Sequence, residues 1–276
     1  MTGRTINHPI VLWLSTPLAI LVIIASCAGL FSRDLYAAET PNWKAQAVGQ
    51  DLVDLLLIVP CLITTSFIAF YRKTAFLLWG GVVMYLAYTF AIYCFDTHFN
   101  QMFVVYCMIM GLSFYAALYY LFTVAGEKIN EFSKRKPIVK ITGIYFLVIA
   151  AAFCLLWLSD VVPAVINNVV PEDVRESGLF TNPVHVIDLS VFLPGIFITG
   201  ILTLKKRNKG LLIAPALLMF FVLMDITIGA LTIIMKARGI DANLSLTFIM
   251  GLLALVSAVI LIRFIKTVKP ATLTRE

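Results

Sequence analysis

Long apolar runs, broken at intervals by short polar stretches, dominate this chain. Read with a window of about 19 residues, they predict spans near 10–31, 50–70, 75–95, 102–125, 138–158, 183–204, 210–235 and 244–266. Runs of about 20 apolar residues suffice to cross a hydrocarbon core of about 30 Å. The sharpest breaks are basic: Arg72-Lys73, Lys134-Arg135-Lys136-Pro137 and Lys205-Lys206-Arg207-Asn208-Lys209. Pro60, Pro194 and Pro215 fall inside predicted spans. A bilayer tolerates them where neighbouring helices satisfy the freed carbonyls.

One motif occurs twice. Asp54-Leu-Leu-Leu-Ile-Val-Pro60 returns as Asp188-Leu-Ser-Val-Phe-Leu-Pro194, and a basic cluster follows each copy. The two acids are 134 residues apart in a chain of 276. The same shift carries 50–70 onto 184–204 and 75–95 onto 209–229, in register with the predicted spans, while the first and fourth spans fit less well. Aligned identities are few (Asp54/Asp188, Leu55/Leu189, Pro60/Pro194, Thr65/Thr199 and Leu77/Leu211), so span order and charge placement carry more weight. Four spans per half bring both halves in from the same side of the membrane. The expected fold is an all-α integral membrane protein of eight transmembrane helices. Its two parallel four-helix repeats, residues 1–136 and 137–276, are related by an axis along the membrane normal.

Composition agrees with this reading. The chain is 61% hydrophobic and 13% charged, with a mean hydropathy of +0.96. A soluble domain has roughly 45–50% apolar and about 25% charged residues. The net charge of +6 does not call for nucleic acid, because sixteen of the 21 Lys and Arg residues fall on one side of the predicted topology and five on the other. The positive-inside rule then places both termini in the cytoplasm and the segments 32–49 and 159–182 outside. Short basic loops lean towards a bacterial inner membrane. Ile24-Ala25-Ser26-Cys27 has the form of a lipoprotein cleavage box. The long apolar run from Ile10 continues past Cys27, which favours a retained span. The five cysteines lie in apolar runs and form no Cys-x-x-Cys pair, as small apolar fillers do.

The candidate chemistry lies in acids. Asp51 and Asp54 are three residues apart, as are His185 and Asp188, so each pair shares a helix face. If the halves meet face to face, three carboxylates and an imidazole converge near the outer surface. Both pairs also stand near predicted helix N-termini, where Asp caps free N–H groups. Capping accounts for Asp51 better than for Asp188. Asp225 lies deep in its span, where a carboxylate costs roughly 2.5–3.5 kcal/mol and is expected to face the bundle interior or a wet cavity. Tyr85 and Tyr88 lie too deep for interfacial anchors, so their hydroxyls need partners, and Asp225 is a candidate. Trp13, Trp43, Trp79 and Trp157 fall near span ends, as an aromatic belt predicts.

Three function classes follow. The leading one is a transporter or channel-like protein for a small ion or polar solute. Asp51, Asp54, His185 and Asp188 would line an outward vestibule, with Asp225, Tyr85 and Tyr88 deeper. The second is a membrane-embedded lipid hydrolase using zinc or another divalent cation held by His98, His185, Asp54 and Asp188. Zinc needs at least three placed ligands, and the chain has no His-x-x-x-His or His-Glu-x-x-His spacing. The third is a sensor or assembly subunit whose acids only cap or pair. There is no phosphate-binding glycine loop and no nucleophile elbow. Lys134, Arg135 and Lys136 suit lipid headgroups rather than nucleic acid. The expected partners are the bilayer and the solute.

Overall fold

A computed structural model of the protein describes residues 9–268. Eight of its helices are long and apolar enough to span a membrane: α1 Pro9–Phe31, α2 Pro41–Ala69, α3 Lys73–Asp96, α4 Phe103–Ala125, α5 Pro137–Asn167, α6 Pro183–Leu204, α7 Asn208–Ala237 and α8 Leu244–Thr267. Two short helices, Glu131–Lys134 and Glu172–Ser177, lie between them. No β-strand occurs among the described residues. Eight such helices fit a multi-pass integral membrane protein. Of the basic residues counted above, Arg4, Lys269 and Arg275 lie outside the described residues. The other thirteen of their set gather at one end of the bundle, here the basic end.

Helix starts follow local chemistry more than hydropathy. Thr40 Oγ1 accepts from the Trp43 N–H at 3.3 Å, with Pro41 at the first position. Asn182 Oδ1 accepts from Val184 and His185 N–H at 3.0 and 3.2 Å, ahead of Pro183. Both are N-caps that satisfy free helix donors. The cap at Thr40 moves the start of α2 from the expected 50 to 41, because Asn42-Trp43-Lys44-Ala45-Gln46 is polar yet helix-compatible. Helix α5 likewise runs past the expected 158, through Pro163, to Asn167. It stops where Asn168 turns left-handed, with φ 52°, a conformation Asn tolerates at helix ends.

The helices form two rings of four. In the first, α1 packs on α2 and α4, and α3 packs on α2 and α4. In the second, α5 packs on α6 and α8, and α7 packs on α6 and α8. The rings join through α3 and α7, and α2 and α4 also touch α7. These two central helices bury 72% and 67% of their apolar windows, against 22–44% for the others, which leaves the outer six with the larger exposed apolar faces.

Both copies of the sequence motif contain the same irregularity. At Asp54–Ile58 the Val59 N–H reaches back five residues to the Asp54 carbonyl, and at Asp188–Phe192 the Leu193 N–H does the same to Asp188. The cause is the proline that follows. Pro60 and Pro194 have no N–H to donate, and the ring crowds the carbonyl four residues back. The preceding turn widens to a π-turn.

Small residues set the closest contacts, as in other membrane bundles. A Cβ on Gly81 of α3 would stand 2.3 Å from the Ala216 carbonyl of α7. One on Gly143 of α5 would stand 2.6 Å from Leu204 of α6. The aromatic-belt expectation holds for Trp13, which is 77% exposed. It fails for Trp79, which is fully buried and donates to Ser15 Oγ of α1 at 2.8 Å. It also fails for Trp157, whose indole N–H is spent on Asp188.

Gly81→Ala is expected to destabilise the protein by about 1–3 kcal/mol through overpacking. Gly111→Ala, with nothing within 4 Å of the new methyl, is the matched neutral control. Thermal unfolding of the two variants in the same detergent checks the contrast.

Candidate functional site

The acids of α2 are not caps. Helix α2 begins at Pro41, so Asp51 and Asp54 lie about three turns inside it. Asp51 is buried, with Oδ2 accepting from the Tyr36 hydroxyl at 2.8 Å and Oδ1 from Tyr93 at 3.2 Å. The Tyr93 hydroxyl is shared with the Ala47 carbonyl at 3.1 Å. Tyr36, in the segment between α1 and α2, is itself buried. Burial first, and the charge of Asp51 second, push its phenol far above the ordinary range, so it remains a donor. Gly29 of α1 makes room for the pair, since a Cβ there would stand 1.8 Å from Asp51 Oδ2.

Asp54, fully buried, anchors a second group. Gln50 Nε2 donates to Asp54 Oδ1 at 2.9 Å and to the Tyr85 hydroxyl at 2.8 Å. The Tyr85 hydroxyl lies 2.9 Å from Thr227 Oγ1, and Thr227 donates to the Leu223 carbonyl at 2.8 Å. One direction of donation satisfies all four bonds: amide to phenol, phenol to Thr227, Thr227 to backbone. The chain links α2 through α3 to α7. Tyr85 therefore serves this chain and not Asp225, against the sequence expectation. Asp54 Oδ2 has no partner among the described residues.

The second ring is built differently. Asp188, half-buried, accepts from Trp157 Nε1 of α5 at 2.8 Å. The Tyr88 phenol and the His185 imidazole stand beside it. The His185 ring lies 4.5 Å from the Trp157 ring. Asp225 is buried, and among the described residues its carboxylate has no hydrogen-bond or ion-pair partner. Asp188 and Asp225 line one cavity of about 220 Å³, walled by all four helices of this ring and by Tyr88 of α3. A second cavity of about 170 Å³ adjoins it, lined by Gln50, Tyr93 and Thr227 among others. Tyr88, Val184, Met224 and Ile228 border both.

Neither Asp51 nor Asp54 borders either of these cavities. The position matching Asp225 under the 134-residue shift is Ala91. Around it Phe90, Tyr93 and Tyr106 pack ring against ring at 5.1–6.2 Å between centroids. Asp51 and Asp54 are thus enclosed in packed surroundings, while Asp188 and Asp225 border a cavity.

The expected convergence of Asp51, Asp54, His185 and Asp188 in one vestibule does not occur. The rings meet mainly through α3 and α7, with α2 also on α7 and the start of α6 on α3, and none of Asp51, Asp54 and His185 borders the cavity lined by Asp188 and Asp225. The expected metal set is also dispersed. His98 is tied by its backbone N–H and by Nδ1 to Glu39, at 2.7 and 3.0 Å. His185 lies against Trp157, Asp54 bonds Gln50 and Asp188 bonds Trp157. Among the described residues no group of three or more His, Cys, Asp or Glu side chains could hold an ion. Sequence reading missed Gln50, Thr227, Tyr36 and Trp157. Only Gln50 carried a signal, four residues before Asp54 and hence on its face.

Two substitutions separate the two kinds of acid. Asp51→Ala strips two buried phenols of their acceptor and is expected to cost about 1–3 kcal/mol or more. Asp225→Asn removes no acceptor from any donor, so its unfolding midpoint is expected to be unchanged or higher. Thermal unfolding at one pH in one detergent reads both. No family model matches the chain, and no curated protein or solved structure matches it, so what the cavity does has to be read from the side chains that line it.

Proposed function

We propose that the protein is a transporter whose solute site is the cavity of the second ring, with the first ring as the scaffold that holds α7. The observation that carries this is Asp225. A carboxylate deep in a span costs roughly 2.5–3.5 kcal/mol unless it is paired or solvated, and this one has no hydrogen-bond or ion-pair partner among the described residues and borders a cavity. Asp51 has two phenolic donors and holds structure. Asp225 holds none, which leaves it free for a solute.

The charge asymmetry supplies the direction. With the basic end in the cytoplasm, Val184 and Leu246, each near the start of its helix, mark an outward mouth, and Tyr145 and Ile196 mark the floor. Val184 to Ile196 spans about 18 Å at 1.5 Å per residue. A solute entering there meets Asp188 first and Asp225 deeper. In this reading the chain is a parallel duplication in which Asp54 is enclosed and its counterpart Asp188 borders a cavity. Both termini are then cytoplasmic, as in a bacterial inner-membrane protein. A sensor that binds the same solute without moving it would use the same cavity, and only flux separates the two. The hydrolase reading has lost its ligand set.

The check is solute-driven or pH-dependent flux in proteoliposomes, at matched protein levels, for wild type, Asp188→Asn and Asp225→Asn. Removing one partner of a buried charge interaction costs about 2–5 kcal/mol, so each variant is expected to lose about tenfold or more of the flux. If both variants insert normally and carry solute as wild type does, the cavity is not on the path.

A further inference from the structure

Given that the second-ring cavity is a solute site, we infer that its solute is an organic cation with an apolar body, a protonated amine bearing an aromatic or aliphatic group, rather than a bare inorganic ion. The inference rests on that reading and narrows it by the chemistry of the wall.

The cavity's lining carries two acids and no base; the His185 imidazole stands beside Asp188 but does not border the cavity. Asp188 and Asp225 line it, and no Lys, Arg or His does. An anion would meet two carboxylates with no counter-charge. A neutral polar solute could donate a hydrogen bond to Asp225 but would leave its charge without a counter-charge. A cation is what the wall lacks.

The rest of the wall decides which cation. Hard inorganic cations need about six oxygen ligands in place of their water. Beyond the two acids, the polar groups here are the phenols of Tyr88 and Tyr145 and the Trp157 indole. The Trp157 N–H is engaged by Asp188, and the Tyr145 hydroxyl lies 2.7 Å from Ser257 Oγ. The remaining surface is hydrocarbon and ring. An ammonium needs far less, because its three N–H donors can be met by one or two carboxylates and by ring faces.

The rings are arranged for that role. Tyr88, Phe192 and Phe220 cluster along one wall, with centroids 4.8 Å apart for Tyr88–Phe192, 4.8 Å for Phe192–Phe220 and 5.7 Å for Tyr88–Phe220. The Tyr88 hydroxyl also stands at Asp188, which puts this aromatic cluster within a side chain's length of a carboxylate. Ammonium groups are held over ring faces by the quadrupole, more strongly when water is excluded. Met224, Met250 and Leu253 complete the wall, a deformable apolar surface for the body of the molecule.

The test uses a matched series: phenethylamine, phenethyl alcohol, phenylacetate and sodium ion. They share one apolar body, or lack it, and differ in charge. Equilibrium binding of radiolabelled phenethylamine is measured to the full-length protein in nanodiscs, with the others as competitors. Saturable amine binding is expected. Phenethyl alcohol should compete about tenfold or more weakly, and phenylacetate and sodium should not compete. Asp225→Asn should weaken the amine about tenfold or more. Met250→Trp, which fills the cavity, should abolish binding while an unchanged unfolding midpoint shows that it folds. Equal binding of the alcohol or phenylacetate, or undiminished amine binding in Asp225→Asn, overturns the inference. Asp225-dependent sodium or proton flux without any amine binding also overturns it, while leaving the transport reading standing. Amine binding without flux of any solute upholds the inference and removes the transport reading.

Discussion

The approach of α3 to α7 at Gly81 is the contact on which the rest of the structure depends. With no side chain at 81, the α3 backbone comes within van der Waals reach of the Ala216 carbonyl. Hydrophobicity gives two apolar helices little reason to associate inside a bilayer, so close packing between small residues has to supply it. Because these two helices meet, Tyr85 reaches Thr227 across the interface, and Tyr88 of the first ring becomes a wall of the second ring's cavity. The same choice of interface keeps α2 and α6 in separate rings and divides the acids into two populations.

Those populations share a sequence motif and differ in surroundings. Asp54 and Asp188 each open a π-turn imposed by the proline six residues on. Around Asp54 the space is occupied by Gln50 and by aromatic side chains of α3 and α4. Around Asp188 the corresponding space stays open, bordered by Trp157 and by Asp225, which has Ala91 as its counterpart. A buried carboxylate is tolerable when donors surround it and costly when none do. That difference, more than the motif, separates a structural acid from one available to a ligand.

How much was legible in the sequence follows from which interactions are local. The eight spans could be read because crossing a bilayer is a one-dimensional demand on hydropathy. The first nine residues of α2 escaped that reading because the window measures apolarity, whereas Thr40 and Pro41 start a helix by capping chemistry. The depth of Asp225 was legible for the same one-dimensional reason. The partners of the other acids were not: Tyr85 and Thr227 are 142 residues apart, Trp157 and Asp188 are 31 apart, and nothing local couples them. The expected shared vestibule failed on one three-dimensional fact, the choice of α3 and α7 as the main joint between rings. The motif's spacing pointed to a π-turn-forming Asp and Pro in each of two helices, but not to which faces would meet.

The central claim is that Asp225 is an open, unengaged carboxyl facing a cavity, while Asp51 is held by two phenols and Asp54, through Oδ1, by Gln50, both away from that cavity. Modification by dicyclohexylcarbodiimide, which reacts with protonated carboxyls in apolar surroundings, tests this directly when the adduct is mapped by peptide mass spectrometry on folded protein in membranes. The account predicts an adduct on Asp225 and none on Asp51 or Asp54. An adduct on Asp51 or Asp54 with Asp225 unmodified would contradict it.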